Sequence, residues 1–238
     1  LMCLGHSSSV ESVIASPASD ALASGGWDKR ICIFRPPADD ATGPAANAQP
    51  TKRARGSKGA PAPTAAPAVE VAPEAELGGH TDVVSALAWS TASLLYSASW
   101  DGSVREWDAS RSSEVATLSA CGKAVLSVDV SLGSAIVATG HSDHLVRLWD
   151  VRSKGGAPLG SFSHKAWVSA VTWCSAREHL LISGCHDGCV RLWDTRSAKC
   201  ALHDLERHEK ILCVGWDGID AILSGGTDGV LRLTTLSL

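Results

Sequence analysis

The sequence lacks several features that would mark a membrane, secreted or disordered protein. Phenylalanine and tyrosine are scarce, at two and one residue, and methionine occurs once. No apolar run approaches the roughly 18 residues that a membrane-spanning helix needs. The opening Leu1–Leu4 is too short for a signal peptide and lacks a charged lead-in. Hydrophobic residues make up 45% of the chain, too many for a disordered protein, and a net charge of -4 does not favour a dedicated nucleic-acid binder. We therefore expect a soluble, folded intracellular protein.

Eight cysteines could suggest a disulfide scaffold, but most lie within apolar, strand-like runs. A free cysteine behaves as a small buried hydrophobe, so reduced thiols in a cytosolic or nuclear protein explain them better. Cys185 and Cys189 have three residues between them, a gap that fits zinc poorly, and no second ligand pair follows at zinc-finger spacing. His141 and His144 flank one turn without converging carboxylates. We expect no metal and no cofactor.

Nine tryptophans dominate the aromatic residues and direct attention to an internal repeat. Five units align on an aspartate, with gaps of 73, 42, 44 and 41 residues between successive anchors. A hydroxyl side chain lies four residues before each anchor, a histidine or lysine 20 to 23 residues before it, and an aromatic residue or threonine six residues after it. In unit order these positions are Asp28, Asp101, Asp143, Asp187 and Asp228; Ser24, Ser97, Thr139, Ser183 and Ser224; His6, His80, Lys123, His164 and His208; and Phe34, Trp107, Trp149, Trp193 and Thr234.

Between these anchors the pattern predicts short antiparallel strands. In the second unit the runs Val84–Trp89, Leu94–Ser99 and Val104–Asp108 are rich in valine, leucine, serine and aromatics, and a weaker run follows at Val115–Leu118. Four short strands in about 42 residues cannot bury both faces of their sheet, so neighbouring units must stack on one another. The predicted fold is an all-β propeller with five four-stranded blades.

The unit resembles the WD40 repeat, since Gly79-His80 is followed by Trp107-Asp108. The chemistry of the four positions explains the pattern. An indole N–H can donate to a hydroxyl, the hydroxyl to an imidazole, and the imidazole to the aspartate, so each buried polar atom is satisfied. Units two and four carry all four residues. The first unit ends in Phe34, the third begins with Lys123 and the fifth ends in Thr234, so we expect partial networks there.

The 73-residue gap contains an insertion. Residues 36–76 hold eight of the ten prolines and thirteen alanines, which predicts a disordered loop after a first blade at 1–35 and before four further blades at 77–238. Four cations lie within seven residues of this loop: Lys52, Arg53, Arg55 and Lys58. They suit either a solvated run or a nuclear import signal or nucleic-acid-facing patch.

Five units are fewer than the seven usual for the family that the repeat resembles. The chain starts on a strand remnant of a preceding blade and stops on the third strand of the last unit. We expect an open fragment of a seven-bladed ring, with Leu1–Leu4 unpaired with Val230–Leu236. Its exposed faces would carry Val10, Val13 and Ile14 at one break and Leu223, Val230 and Leu231 at the other.

Serine, histidine and aspartate recur together in the units, which raises the possibility of a hydrolase. A catalytic constellation is built once, beside an oxyanion hole and a pocket, whereas this one recurs along the chain. Neither a Gly-x-Ser-x-Gly elbow nor a phosphate-binding glycine loop occurs. We predict a protein that is not an enzyme and takes no small-molecule substrate.

Several runs resemble more closely the WD-repeat subunits of the nucleolar PeBoW complexes, which act with Pescadillo in large-subunit ribosome maturation. They include Cys32-Ile33-Phe34 before the basic loop, Cys121-Gly122-Lys123-Ala124, and Leu205-Glu206-Arg207-His208-Glu209. This resemblance implies a scaffold in ribosome biogenesis and pre-rRNA processing. Its partners would be another WD40 propeller and Pescadillo within pre-ribosomes, with indirect contact to pre-rRNA, no membrane, and a location in nucleolus and nucleoplasm.

The alternative is a substrate receptor of a cullin-RING ubiquitin ligase. Many such receptors engage their adaptor through a Trp-Asp-x-Arg box, and two matches occur here: Trp149, Asp150 and Arg152, and Trp193, Asp194 and Arg196. Aspartate followed by arginine is common in the turns of these repeats, so the box by itself does not establish a receptor.

Overall fold

The computed structural model describes residues 2–35, 70–118, 122–153, 157–196, 201–207 and 209–236. Every regular element in these ranges is a β-strand, so the predicted all-β class is confirmed. The described ranges contain no helix long and apolar enough to cross a membrane. The basic run at Lys52, Arg53, Arg55 and Lys58, and also His208, lie outside the described residues.

The strands form successive antiparallel sheets, as the repeat predicts. The first sheet contains β2 (Val10–Ala15), β3 (Leu22–Gly26), β4 (Arg30–Phe34) and β6 (Ala75–Gly78). The second contains β7 (Val84–Trp89), β8 (Leu94–Ser99), β9 (Val104–Asp108) and β10 (Ser113–Leu118). The third contains β11 (Val125–Ser131), β12 (Ile136–His141), β13 (Leu145–Asp150) and β14 (Gly160–Ser163). The fourth contains β15 (Val168–Trp173), β16 (Leu180–Cys185), β17 (Cys189–Asp194) and β18 (His203–Arg207).

The fifth sheet has three strands within the described residues, β19 (Ile211–Asp217), β20 (Ala221–Gly226) and β21 (Leu231–Thr235). A separate pair, β1 (Met2–Cys3) and β5 (Glu70–Val71), runs parallel. In the sheets of the described chain β1 therefore pairs with β5 and not with β21, as expected for the opening residues.

The local geometry repeats as closely as the sequence does. The first strand of every unit carries a register shift after its first residue, which a β-bulge produces. In every unit the residue after the anchor aspartate has a positive φ, which the tight turn requires. Glycine occupies this position in three units, whereas Lys29 (φ 67°) and His144 (φ 73°) adopt the same conformation in the other two.

Neighbouring sheets bury their apolar faces against each other. Four buried clusters each combine residues of two consecutive sheets; the first includes Ile31 and Ile33 with Val84 and Leu95. Hydrogen bonds also link the first strands of neighbouring units. The Ser169 hydroxyl donates to the Ile211 carbonyl at 2.6 Å, and the Ser85 hydroxyl donates to the Val125 carbonyl at 2.7 Å.

The two end sheets differ in how their outer residues are covered. At the first unit Val10 and Val13 are 47% and 66% exposed, and at the fifth Leu231 is 73% exposed. Ile14 and Leu223, expected to be exposed, are half-buried. Gly5 packs on the first sheet so closely that an added Cβ would lie 3.1 Å from Cys32 Sγ and 3.3 Å from the Phe34 ring. The opening segment therefore covers part of the first sheet.

The insertion lies within the first unit and not after it. Strand β6 begins at Ala75, inside the stretch 36–76 that the composition assigns to a loop, and pairs with β4. Glu70 and Val71 are also paired. Because β6 is the fourth strand of the first sheet, the first unit extends through Gly78 instead of ending at residue 35.

Candidate functional site

Two loops of each unit lie together at one end of its sheet: the turn that carries the anchor aspartate and the loop that precedes the first strand. The residue before each anchor aspartate donates its backbone N–H to the carbonyl of the residue that precedes the first strand of the unit. The donor and acceptor pairs are Trp27 and Ser9, Trp100 and Val83, Ser142 and Ala124, His186 and Trp167, and Thr227 and Lys210. We call the surface formed by these ten residues the turn surface. The side-chain networks below hold its loops in place.

The second unit has the complete network that the sequence predicts. The Trp107 indole donates to Ser97 Oγ at 2.8 Å, and Ser97 Oγ lies 2.7 Å from His80 Nε2. His80 Nδ1 donates to Asp101 at 3.0 Å. Burial acts to raise the pKa of Asp101, but the hydrogen bonds from Ser103, Thr81 and His80 outweigh it and lower the pKa to about 2. The aspartate is thus ionised and fixes the histidine loop.

The fourth unit brings the same residues together but joins them differently. Trp193 Nε1 and His164 Nε2 both lie 2.7 Å from Ser183 Oγ. Here Arg191 donates to His164 Nδ1 and to Asp187, and stands between the two. Since Nδ1 accepts, Nε2 must carry the proton, which is the opposite tautomer to that of His80. Burial and the Arg191 charge lower the pKa of His164 to about 4.

The third unit contains a histidine that sequence reasoning missed. Lys123 occupies the aligned position, yet His141 on strand β12 places its Nε2 2.7 Å from Thr139 Oγ1, and the Trp149 indole donates to the same oxygen at 2.8 Å. The network expected to be partial thus regains an imidazole, which comes from the strand that also carries Thr139. Asp143 is joined to Arg147, at 2.6 Å, rather than to this histidine. Burial and the Arg147 charge lower the pKa of His141 to about 4.

The first unit keeps three members of the network. His6 Nδ1 donates to Asp28 at 2.9 Å and His6 Nε2 lies 2.7 Å from Ser24 Oγ. Phe34, which has no indole donor, is buried in the same unit. In the fifth unit Ser224 is buried and Asp228 pairs with Arg232 at 2.6 Å.

In units two to five an arginine lies two residues before the tryptophan position, and each of these arginines forms an ion pair within its unit. Arg147, Arg191 and Arg232 each pair with the anchor aspartate of their own unit, four residues earlier. Arg105 instead pairs with Glu114 at 2.5 Å, because Asp101 already accepts from His80. Arg147 and Arg191 are only 6% exposed, so these side chains act within the fold.

A metal site is the alternative use for the fourth network. Ligand atoms of His164, Cys185 and Asp187 lie within 4.8 Å of one another. The Arg191 guanidinium already occupies the space between the histidine and the aspartate. Burial raises the pKa of the Cys185 thiol to about 11, which disfavours the thiolate that a metal needs. The arrangement fits a structural network better than a metal centre.

Three of the nine tryptophans are exposed, and all three lie on the turn surface. Trp27, Trp100 and Trp167 are 47%, 38% and 51% exposed. Trp27 and Trp100 form an edge-to-face pair across two units, with ring centroids 5.3 Å apart. Trp167 packs on His186 at 5.8 Å. Exposed, prearranged indoles on one surface are typical of protein interaction sites, where tryptophan supplies a large share of the binding energy.

The two Trp-Asp-x-Arg boxes lie at the other end of their strands. Asp150 accepts from the Arg152 backbone N–H at 2.9 Å, and the exposed Arg196 guanidinium pairs with Asp194 at 2.6 Å. The Arg196 hydrogen bond lowers the pKa of Asp194 to about 2. The aspartates therefore cap their own turns, which accounts for the box without an adaptor.

Comparison with known proteins agrees with the repeat. Residues 1–35, 72–108, 112–150 and 156–194 match the family described as WD domain, G-beta repeat. Those segments cover more than half of the chain.

Similar proteins bear the name ribosome biogenesis protein WDR12 homolog. The one from Oryza sativa subsp. japonica is 36% identical, over 97% of this chain and 52% of its own length. The one from Chlamydomonas reinhardtii is 37% identical, over 96% of this chain and 53% of its own length. The one from Arabidopsis thaliana is 34% identical, over 97% and 52% respectively. The chain thus spans about half the length of the curated relatives it matches, and it belongs to the WD40 repeat family.

Proposed function

We propose that the protein is a non-catalytic interaction scaffold in ribosome biogenesis and that its turn surface holds a protein partner. The exposed indoles Trp27, Trp100 and Trp167 on one rigid surface carry the proposal. The assignment to ribosome biogenesis comes from the names of its relatives, which refer to that process. The serine and histidine groups that resemble part of a hydrolase site are committed to hydrogen bonds within their own units, which supports a structural role.

The resemblance to PeBoW subunits extends this proposal to partners and location. Another WD40 propeller and Pescadillo are the proposed protein partners, and contact with large-subunit pre-rRNA is indirect. The proposed locations are the nucleolus and the nucleoplasm. The ubiquitin-ligase alternative gains no support from the comparisons, and the arginine of one of its boxes, Arg196, pairs with Asp194 of the same turn.

Removing the edge-to-face pair should detach the partner. We expect Trp27→Ala combined with Trp100→Ala to weaken partner binding about tenfold or more, since exposed tryptophans at interface centres are frequent hot spots. Tagged wild-type and variant chains would be purified from cells and compared for Pescadillo, a partner propeller and large-subunit pre-rRNA. The matched control, Val115→Ala combined with Leu159→Ala, removes two exposed apolar side chains from elsewhere. Equal recovery in all three chains, or recovery of a cullin adaptor alone, would refute the proposal.

The basic run gives a separate prediction about location. Changing Lys52, Arg53, Arg55 and Lys58 to alanine should move a fluorescently tagged chain toward the cytoplasm, because import receptors bind clustered cations in extended segments. A control chain with Arg30, Arg35, Arg111 and Arg152 changed to alanine loses four exposed cations from outside the turn surface and should remain nuclear. An unchanged nucleolar signal in the first variant would show that the run is not the import signal.

A further inference from the structure

The charge of the turn surface differs between its units. In units one and two the anchor turns and the loops before the first strands carry three carboxylates and a single lysine: Asp28, Asp82, Asp101 and Lys29. Glu11 adds a fourth carboxylate to this part of the surface, since it accepts from the Trp27 indole at 3.0 Å. Lys29 donates to the Thr81 carbonyl at 2.7 Å. Carboxylates therefore outnumber cations here, and we call this part the acidic half of the turn surface.

The corresponding loops of units three to five carry one lysine each. Lys123, Lys165 and Lys210 lie shortly before the first strands of their units, and all three are exposed. Among the described residues none of their ammonium groups has a hydrogen bond or an ion pair. The anchor aspartates of these units are already paired with the arginines Arg147, Arg191 and Arg232. The three lysines therefore give this part of the surface an uncompensated positive charge.

The backbone holds each lysine loop in place. The Lys165 N–H donates to the Asp187 carboxylate at 3.2 Å, and the Lys210 carbonyl accepts from the Thr227 N–H at 3.0 Å. Lys123 packs on the turn of the second unit, where a Cβ added at Gly102 would lie 3.2 Å from the Lys123 carbonyl oxygen. The three ammonium groups therefore extend from fixed loops, so a ligand that pairs with them does not have to order the backbone.

An exposed indole lies among these cations. Trp167 packs on His186, with ring centroids 5.8 Å apart. Burial and, after it, the Lys210 charge lower the pKa of His186, so the Lys210 ammonium lies close to the same imidazole. Glu209, a further carboxylate of these loops, accepts from the Thr227 hydroxyl at 3.0 Å. The basic half of the turn surface thus consists of Lys123, Lys165, Trp167, His186 and Lys210.

We propose that the basic half binds an acidic peptide segment of the protein partner. The carboxylates of the segment pair with the three ammonium groups, and its aliphatic atoms pack on the Trp167 ring. The acidic half beside it repels the same segment, which confines the segment to units three to five. This inference rests on the function proposed for the turn surface, because it names the chemistry of the partner that is bound there.

Single-stranded RNA is the other polyanion that lysines and an indole could bind. Two observations favour the peptide. The chain has a net charge of -4, whereas domains that bind nucleic acid are usually strongly basic. Trp167 is the one exposed indole among the described residues of the basic half, whereas surfaces for single strands stack successive bases on several aromatic rings. RNA binding is therefore kept as an outcome of the test.

Indole NMR signals test the proposal directly. The probe is the capped peptide Gly-Asp-Glu-Asp-Glu-Asp-Glu-Gly, and its control is the same peptide with asparagine and glutamine in place of the acidic residues. We expect the acidic peptide to shift the indole N–H resonance of Trp167, assigned from Trp167→Phe, and to leave that of Trp27 in place. The neutral peptide should bind about tenfold more weakly or worse, because the charge-assisted hydrogen bonds are lost. Added salt should weaken the acidic peptide, since exposed ion pairs are screened.

Variants then assign the affinity to the lysines. Lys165→Gln combined with Lys210→Gln should weaken the acidic peptide about fivefold or more. The matched control, Arg111→Gln combined with Arg152→Gln, removes two exposed cations from outside the turn surface and should bind as the wild type does. Trp27→Ala combined with Trp100→Ala should also bind the peptide normally. If the peptide fails to bind while that last variant still loses its partner, this inference is wrong and the proposed function stands.

Three results would overturn the proposal. They are no shift of the Trp167 resonance at millimolar acidic peptide, equal affinity for the neutral peptide, and tighter binding of an oligouridine of the same charge, which would indicate a site for RNA instead.

Discussion

We expect the free energy of unfolding to fall by roughly 3–6 kcal/mol between pH 6.5 and pH 4. Two buried histidines account for most of this dependence, and His80 and His186, whose pKa values burial also lowers, add to it in the same direction. Burial and a facing arginine lower the pKa of His141 and of His164 from 6.5 to about 4. In this pH range the unfolded chain therefore binds more protons than the folded chain at these two positions. The stabilisation that comes from keeping His141 and His164 neutral is fully present above pH 6.5 and is lost as the pH falls toward 4.

Other charges near the two histidines set the limits of this effect. Asp143 faces His141, and Asp187 and Asp204 face His164; these carboxylates act to raise the histidine pKa, but burial and arginine outweigh them. Asp129 acts in the opposite sense, because its raised pKa makes the folded state relatively more stable at low pH. Below pH 3.8 the loss should continue, since Asp101 and Asp187 have pKa values lowered to about 2.

Urea unfolding at half-unit pH intervals measures the effect. His141→Gln keeps a polar group beside Thr139 but cannot titrate, so the slope between pH 6 and 4.5 should decrease by up to about 1.4 kcal/mol per pH unit. His144→Asn is the matched control, because His144 is exposed and asparagine tolerates its positive φ. A slope that His141→Gln leaves unchanged would contradict the assignment of His141 as a buried neutral group.

The second large effect concerns the contact between neighbouring sheets. Gly140→Ala should destabilise the chain by about 1–3 kcal/mol. A Cβ at this position would lie 2.8 Å from the Val168 carbonyl oxygen and 2.9 Å from Val168 Cγ1. The oxygen belongs to the backbone of the next unit, so the two sheets would have to move apart to relieve the overlap.

Gly225 provides the control, because it occupies the same place in the fifth unit, three residues before the anchor aspartate. There an added Cβ meets only Cys213 Sγ at 3.0 Å, the end of a side chain that can rotate. Gly225→Ala should therefore be neutral or stabilise the strand by about 0.5 kcal/mol, since alanine loses less backbone entropy than glycine. Thermal and urea unfolding of both variants compares them. Equal destabilisation would show that the fifth sheet is covered as the third is.

The four repeated positions allowed the sequence alone to predict much of the fold. Short strands around Asp101 and Asp187, the turn after each aspartate, and the grouping of His80 with Ser97 and Trp107 follow from spacing and hydrogen-bonding capacity. These features are local to one unit, so each unit specifies them without knowledge of its neighbours. The strand that closes the first sheet at Ala75 was missed, because the alanine- and proline-rich composition before it conceals where pairing resumes.

Only the tertiary structure decided how each network closes and what lies between units. His141 replaces the imidazole that Lys123 lacks, and Arg191 separates His164 from Asp187; neither follows from aligned positions, since each depends on which side chain reaches a shared space. The basic half of the turn surface likewise appears only when three units are assembled. Repeat spacing determines what one unit must contain, whereas packing between units determines which polar groups remain unpaired.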